Sequence, residues 1–203
     1  MKIKKIAIIS LMTIILTGCT IVRVDTTSID NILNVVLSKN NKLYNRVGIG
    51  YKYYVPRGVT YIDSTGTNDK LYSNGVYYYL YLDEISYYYK KSIDYKENKS
   101  LYYSKKINGK TEGYLQITKE KNNLYLIEFV YNYAKIEALV PKEDINDVVL
   151  NCSYILSTIK YNDNVVKLSL SENFLKNKEE TYDEFSSKKQ DNNNSFLKYG
   201  DDK

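Results

Sequence analysis

The side chains able to do chemistry in this chain are few in kind. Its 203 residues include no histidine, no tryptophan, two cysteines, 24 acids and 24 tyrosines. Without histidine, a Ser-His-Asp triad, the common His/Cys zinc sites and a His-ligated haem are excluded. Cys152 falls within an apolar stripe of helical spacing and has no histidine to activate it, so it reads as an inert buried thiol. Carboxylate pairs remain. Glycoside hydrolysis uses two acids in different environments across one bond, and the pairs within reach are Asp83 with Glu84 and Glu128 with Glu137. Adjacent acids on a strand point to opposite faces. Glu128 and Glu137 face one another across a hairpin with Lys135 nearby, which fits a solvated charge face better than a catalytic dyad. The chain has no Gly-x-Ser-x-Gly turn, P-loop or dinucleotide glycine motif, and Gly48-Ile49-Gly50 alone is too short to be one. The expectation is a non-enzyme without cofactor or metal.

Tyrosine is the other resource. Tyr77, Tyr79 and Tyr81 alternate on one side of a strand running from Val76 to Asp83, and Tyr114 is placed with them as a candidate binding face. Tyrosine suits interfaces and stacking on sugars because a flat apolar ring carries a hydroxyl. It is also a good strand former, favoured by A/T-rich coding, and a second helix or loop can cover such a face. Charge narrows the partners. The formal net charge is +5, but Lys2, Lys4 and Lys5 carry most of it and the remainder is close to balanced. Lysines are scattered among acids and the only arginines are Arg23, Arg46 and Arg57, so no phosphate-tracking face is expected and nucleic acid is not an expected partner. With 43% hydrophobic and 26% charged residues, neither a polytopic membrane protein nor a wholly disordered chain fits.

The N-terminus is organised for export. Three lysines within Met1–Lys5 precede an apolar run from Ile6 to Leu16, shorter than the ~20 residues a bilayer span takes. The run closes on Leu16-Thr17-Gly18-Cys19. These four residues resemble the lipobox of bacterial lipoproteins, and the resemblance implies that the signal is cut before Cys19 and that its sulfur carries a diacylglycerol. Two acyl chains give lasting attachment where one is marginal. The expected location is therefore the extracytoplasmic face of a bacterial cell membrane, with the membrane itself a partner through lipidated Cys19.

The elements that must position any site follow from periodicity. Residues 1–18 read as signal, 19–27 as tether, 28–164 as one α+β domain and 165–203 as a polar tail expected to be disordered. Ile29, Ile32, Leu33 and Val36 recur at helical spacing. Leu43 to Tyr61 suits short strands joined by turns, and Asp63 to Asp69 reads as a polar loop. The strand from Val76 is expected to extend through Glu84 to Lys90, with a helical turn over Glu84–Ile93 as the alternative. An antiparallel meander follows over Leu101–Ile107, Glu112–Lys119, Leu124–Asn132 and Lys135–Val140. Leu115, Ile117, Ile127, Phe129, Ile136, Ala138 and Val140 form its apolar face, and Tyr114, Gln116, Glu128, Lys135 and Glu137 its mixed face. Ile145, Val148, Val149, Cys152, Leu156 and Ile159 then mark a helix that should lie across the apolar face.

The result expected is an antiparallel sheet of about five to seven strands flanked by an N-terminal and a C-terminal amphipathic helix. The closing hairpin Tyr131–Val140, followed by a helix running to Lys160, resembles the end of PsbP-like α/β/α domains. That resemblance implies an adaptor-like scaffold and carries over no functional residue. The expected function is a non-catalytic binding or adaptor module for a cell-envelope protein. The alternative is capture of a glycan or small molecule on a tyrosine-rich surface, and a carboxylate-based hydrolase is the remote third reading.

Overall fold

The computed structural model describes residues 25–109 and 111–173. The expected signal, Cys19 and the tail from residue 174 lie outside the described residues. In chain order the elements are α1 (Ile29–Leu37), β1 (Arg46–Val47), β2 (Tyr51–Tyr53), β3 (Thr60–Thr65), β4 (Asn68–Ser73), β5 (Val76–Leu82), α2 (Glu84–Tyr89), β6 (Tyr103–Ile107), β7 (Gly113–Lys119), β8 (Leu124–Tyr131), β9 (Ala134–Pro141), α3 (Ile145–Thr158), β10 (Lys160–Tyr161) and α4 (Asp163–Asn173). The protein is α+β. Seven strands form an antiparallel sheet in the order β3-β4-β5-β9-β8-β7-β6, and a second, three-stranded sheet has the order β1-β2-β10.

Two meanders, β3-β4-β5 and β6-β7-β8-β9, join by antiparallel pairing of β5 with β9. The tight turns fall where the sequence can supply positive φ. Asn74-Gly75 joins β4 to β5, and Asn122 and Asn123 sit at +56° and +57° between β7 and β8. Tyr133, at φ +58° in the β8–β9 turn, is bulky for that region. Its carbonyl accepts both the Asp83 N–H at 2.9 Å and the Tyr161 hydroxyl at 2.9 Å, so surrounding elements hold the strained turn in place.

Register sorts the side chains. Leu80, Ile136, Phe129 and Leu115 are successive cross-strand partners on one face, all buried in one cluster with Ile32, Leu33 and Val36 of α1 and Val149, Cys152, Ile155 and Leu156 of α3. α1 packs against α3, and α3 against β8 and β9. The α3 stripe lies as its 3.6-residue period requires. Burial pushes the Cys152 thiol up, which keeps it protonated and unreactive.

Three stretches differ from the sequence reading. Residues 63–69 are not a loop: β3 and β4 run through them around a turn at Gly66 (φ +61°). β3 is an edge strand whose Asp63, Ser64 and Thr65 are all exposed, so backbone pairing holds it and no apolar alternation announces it. Residues after Asp83 take the helical alternative rather than extending the strand, because the Asp83 carboxylate accepts the Ser86 N–H at 2.9 Å and the Ser86 hydroxyl at 2.6 Å, an N-cap that stops β5. Helix α4 runs through residue 164, where the domain was expected to end, with Val166 fully buried and Leu170 nearly so.

Candidate functional site

The face carrying Tyr77, Tyr79, Tyr81 and Tyr114 is not an open aromatic surface. Register does bring these residues to one side of the sheet: Tyr79 pairs with Glu137 and Tyr81 with Lys135, while Tyr114 and Lys135 both flank Val130. Only Tyr77 is exposed, at 40%, whereas Tyr79, Tyr81 and Tyr114 are buried. Over Tyr114 the cover is the crossover from β5 to β6, which travels from the third strand of the sheet to the far edge and packs Ile93 and Tyr95 against Tyr114 and Val130; Tyr79 is buried with Leu126 and Leu139. Tyr95 stacks on Tyr114 with centroids 4.1 Å apart and planes 1° from parallel. Its hydroxyl lies 2.7 Å from the Ser104 hydroxyl, and the Ile93 N–H donates to Glu112 at 3.0 Å. Burial raises the Tyr114 phenol well above the ordinary range and pushes the Tyr95 phenol up in the same direction. A sequence signal for this cover existed: Leu126, Val130 and Leu139 sit among the polar residues of that side, and a solvated face has no use for three aliphatics.

The same burial decides the carboxylates. Glu128 and Glu137 are direct cross-strand partners, as the hairpin implied, but they are not part of a solvated charge face. Lys135 and Glu137 form an ion pair at 3.3 Å with both side chains buried. Glu128 accepts the Tyr114 hydroxyl at 2.6 Å and the Gln116 amide at 3.1 Å. These groups form a polar seam on this face, and its hydrogen bonds and ion pair make it structural. Asp83 is committed to its cap. Glu84, in the first turn of α2, is 2% exposed, and burial pushes its carboxyl up to about 7. Among the described residues no group of three or more His, Cys, Asp or Glu is placed to hold a metal ion.

An open concavity lies elsewhere, where the small sheet meets α2 and α4. A cleft of about 740 Å³ is lined by Val47, Gly48, Gly50, Tyr51, Lys52, Tyr87, Lys160, Tyr161, Asn162, Asp163, Asn164 and Val165, a volume within the ~300–1,000 Å³ range of small-molecule sites. Local contacts fix its walls. The Tyr51 and Tyr53 hydroxyls donate to buried Asp69 at 3.3 and 2.5 Å, which ties the β1–β2 hairpin to β4. The Asn162 N–H donates to the Gly50 carbonyl at 2.8 Å. Gly50 has φ +84°, and a Cβ there would stand 2.9 Å from Glu84 Oε1; at Gly48 a Cβ would stand 2.2 Å from the Tyr51 ring. Both glycines of the short Gly-Ile-Gly run are therefore explained by close approach.

Tyr87 stacks on Tyr161 with centroids 4.1 Å apart, and Lys90 places its ammonium 3.4 Å from the Tyr87 ring centroid. The Tyr87 hydroxyl donates to Asp163 at 2.5 Å, and burial with that carboxylate raises it to about 12. The Tyr161 hydroxyl is spent on the Asn132 and Tyr133 carbonyls, and burial pushes it up in the same direction. The tyrosine hydroxyls thus serve the frame. The rim's free hydrogen-bonding capacity is that of the amine and amide side chains of Lys52, Lys160, Asn162 and Asn164. Such a site can hold a neutral polar or anionic small molecule against aromatic edges. It offers no activated nucleophile and no acid/base pair across an open space. Sequence reasoning missed it because Tyr51, Tyr87 and Tyr161 are far apart in the chain and meet only through the hairpin, α2 and β10. No family model, curated protein or solved structure matches the chain.

Proposed function

We propose that the protein is a lipid-anchored lipoprotein of the extracytoplasmic face of a bacterial cell membrane that acts by binding rather than catalysis, with the cleft at the small sheet as its ligand site. The observation that carries the binding reading is the 740 Å³ cleft lined by Tyr51, Tyr87 and Tyr161 with an amine and amide rim. A glycan or similarly polar small molecule suits it, since aromatic edges and amine and amide donors complement a sugar's C–H groups and hydroxyls. The anchor reading rests on Leu16–Cys19 and the short apolar run before it. In this reading residues 1–18 are removed, 19–27 tether the domain, and Cys19 holds it to the membrane.

The adaptor reading for a cell-envelope protein is the second one, favoured by one feature. Tyr72 and Tyr77 lie against each other at 5.0 Å on the outer end of β4–β5, with the Lys70 ammonium 4.4 Å from the Tyr77 ring, and Tyr77 is open to a partner. The resemblance to PsbP-like domains supports an adaptor scaffold through the order of opening helix, antiparallel sheet and closing helix. Against a sandwich with helices on two faces, α1 and α3 share one hydrophobic cluster on one face, and the irregular segment carrying Ile93 and Tyr95 packs on the other.

Three measurements test these proposals. Cys19→Ala should move the protein from the membrane pellet to the soluble fraction, and a variant that stays membrane-bound overturns the anchor. Calorimetric titration with N-acetylglucosamine oligosaccharides should give binding that Tyr87→Leu weakens about tenfold while Tyr77→Ala leaves it unchanged. Equal affinity for wild type and Tyr87→Leu removes the cleft from the proposal. Crosslinking in intact cells that captures one protein through Tyr77 would favour the adaptor.

A further inference from the structure

Between Asp30 and Asp63 the chain contains no acid and five basic residues, Lys39, Lys42, Arg46, Lys52 and Arg57. The middle of this stretch is the β1–β2 hairpin. Its register sets Val47 beside Lys52 and Lys52 beside Lys160, one row across all three strands of the small sheet. Tyr51 and Tyr53 are buried on the other side of β2, so the row faces outward. Two lysines directly opposite on one sheet face repel, and among the described residues neither forms an ion pair. Lys52 rests its ammonium 4.1 Å from the Tyr44 ring centroid. Asp163, the one carboxylate lining the adjoining cleft, takes the Tyr87 hydroxyl.

The apolar side chains around this row are exposed in an unusual concentration. Leu43, Tyr44, Val47 and Ile49 are 56%, 54%, 65% and 78% exposed within seven residues. Single exposed aliphatics are ordinary. A cluster of them beside uncompensated cations is the composition that seats a protein in the headgroup layer of an anionic membrane, where aliphatic tips enter the interface and lysines meet lipid phosphates. We infer that the outer face of the small sheet docks onto an anionic phospholipid surface, through Val47 and Ile49 and the Lys52–Lys160 pair. The inference rests on the lipid-anchor reading, which supplies the membrane.

The chain length allows it. The Asn146 amide donates to the Thr26 carbonyl at 2.8 Å at the start of α3, and the Tyr54 N–H donates to the Thr158 hydroxyl at 3.0 Å at the helix's other end. A fourteen-residue helix spans about 21 Å, and the stretch from Cys19 to Thr26 can reach about 24 Å. Anchor and docking face can therefore meet one surface, and the cleft, which shares Val47, Lys52 and Lys160 with that face, would open at the lipid–water boundary.

The test uses the lipidated full chain reconstituted in vesicles of phosphatidylcholine with or without phosphatidylglycerol. Buried Cys152 and thioether-linked Cys19 leave Ile49→Cys as the accessible thiol for an environment-sensitive fluorophore. Lys99→Cys, on the segment held to the opposite sheet edge, is the control. Sedimentation reads the anchor separately from the label. The expected result is a blue shift and protection from an aqueous quencher at residue 49, with phosphatidylglycerol only, and none at residue 99. Lys52→Gln and Lys160→Gln should each reduce the docked-to-undocked ratio about fivefold without loss of sedimentation. A label at residue 49 that stays aqueous while the protein pellets with the vesicles overturns docking and leaves the anchor standing. Equal shifts on neutral and anionic vesicles overturn the charge basis. A shift on native membranes but not on protein-free vesicles assigns the face to a protein and overturns the lipid assignment. Protein found in the supernatant with no shift at residue 49 overturns both readings.

Discussion

Glu84 is the residue whose chemistry changes most between the unfolded and folded chain. Its carboxyl titrates near its ordinary value of 4.5 when unfolded and at about 7 when folded, because burial disfavours the charged form. The unfolded state therefore loses this proton first as pH rises. Stability is fully present below about 4.5, falls through the interval and levels off above about 7, a loss on the order of 3 kcal/mol. With no histidine in the chain, no imidazole titrates in that window. Denaturant unfolding at pH 5 and pH 8 checks the sign: Glu84→Gln should match wild type at pH 5 and exceed it by about 1–3 kcal/mol at pH 8. A wild type more stable at pH 8 than at pH 5 contradicts it. That Glu84 is acidic was plain in the sequence. That it is buried was not, because residues flanking a strand end are as often solvated, and only the meeting of α2, Gly50 and Val166 of α4 closes water away from it.

At the scale of elements, the β8–β9 hairpin carries the lesson. Its apolar face was readable from alternation alone, since Ile127, Phe129, Ile136 and Ala138 are all fully buried where the period of two places them. Its other face was readable as to which side chains meet, but not as to what they meet, because cover comes from a crossover with no periodicity of its own. The buried Lys135–Glu137 pair on that face gives a measurable asymmetry. Lys135→Met alone takes the ammonium away from a buried carboxylate and should cost about 3–5 kcal/mol, whereas Lys135→Met combined with Glu137→Leu should recover most of the loss. A double variant no better than the single one would show that the pair contributes net stability. The Asp83 cap is a second case: one short polar side chain ends β5 and starts α2, and a reading by alternation runs past it.

On the scale of the whole molecule, the fold reaches past the point where its pattern fades. Val166 and Leu170 of α4 are buried, so truncation after Asn164 should lower the melting temperature by roughly 5–10 °C, from the apolar area exposed and the usual conversion to Tm. An unchanged melt would mean that α4 adds nothing to the core. Its hydrophobic pattern is too weak to mark a helix alone, and the helix exists because two apolar side chains find a surface already built by the hairpin and α2. The amino-acid sequence by itself determined the fold class and the excluded chemistries: the reactions that lacking histidine forbids, the antiparallel strands and the two amphipathic helices, all of them local or periodic properties that neighbouring residues carry along the chain. Only the tertiary structure decided which polar side chains are buried, that the expected tyrosine face is covered, and that Tyr51, Tyr87 and Tyr161 line one cleft. Burial and convergence depend on which distant segments pack together, and strand order and the path of the β5–β6 crossover set that packing without leaving a periodic trace in the sequence.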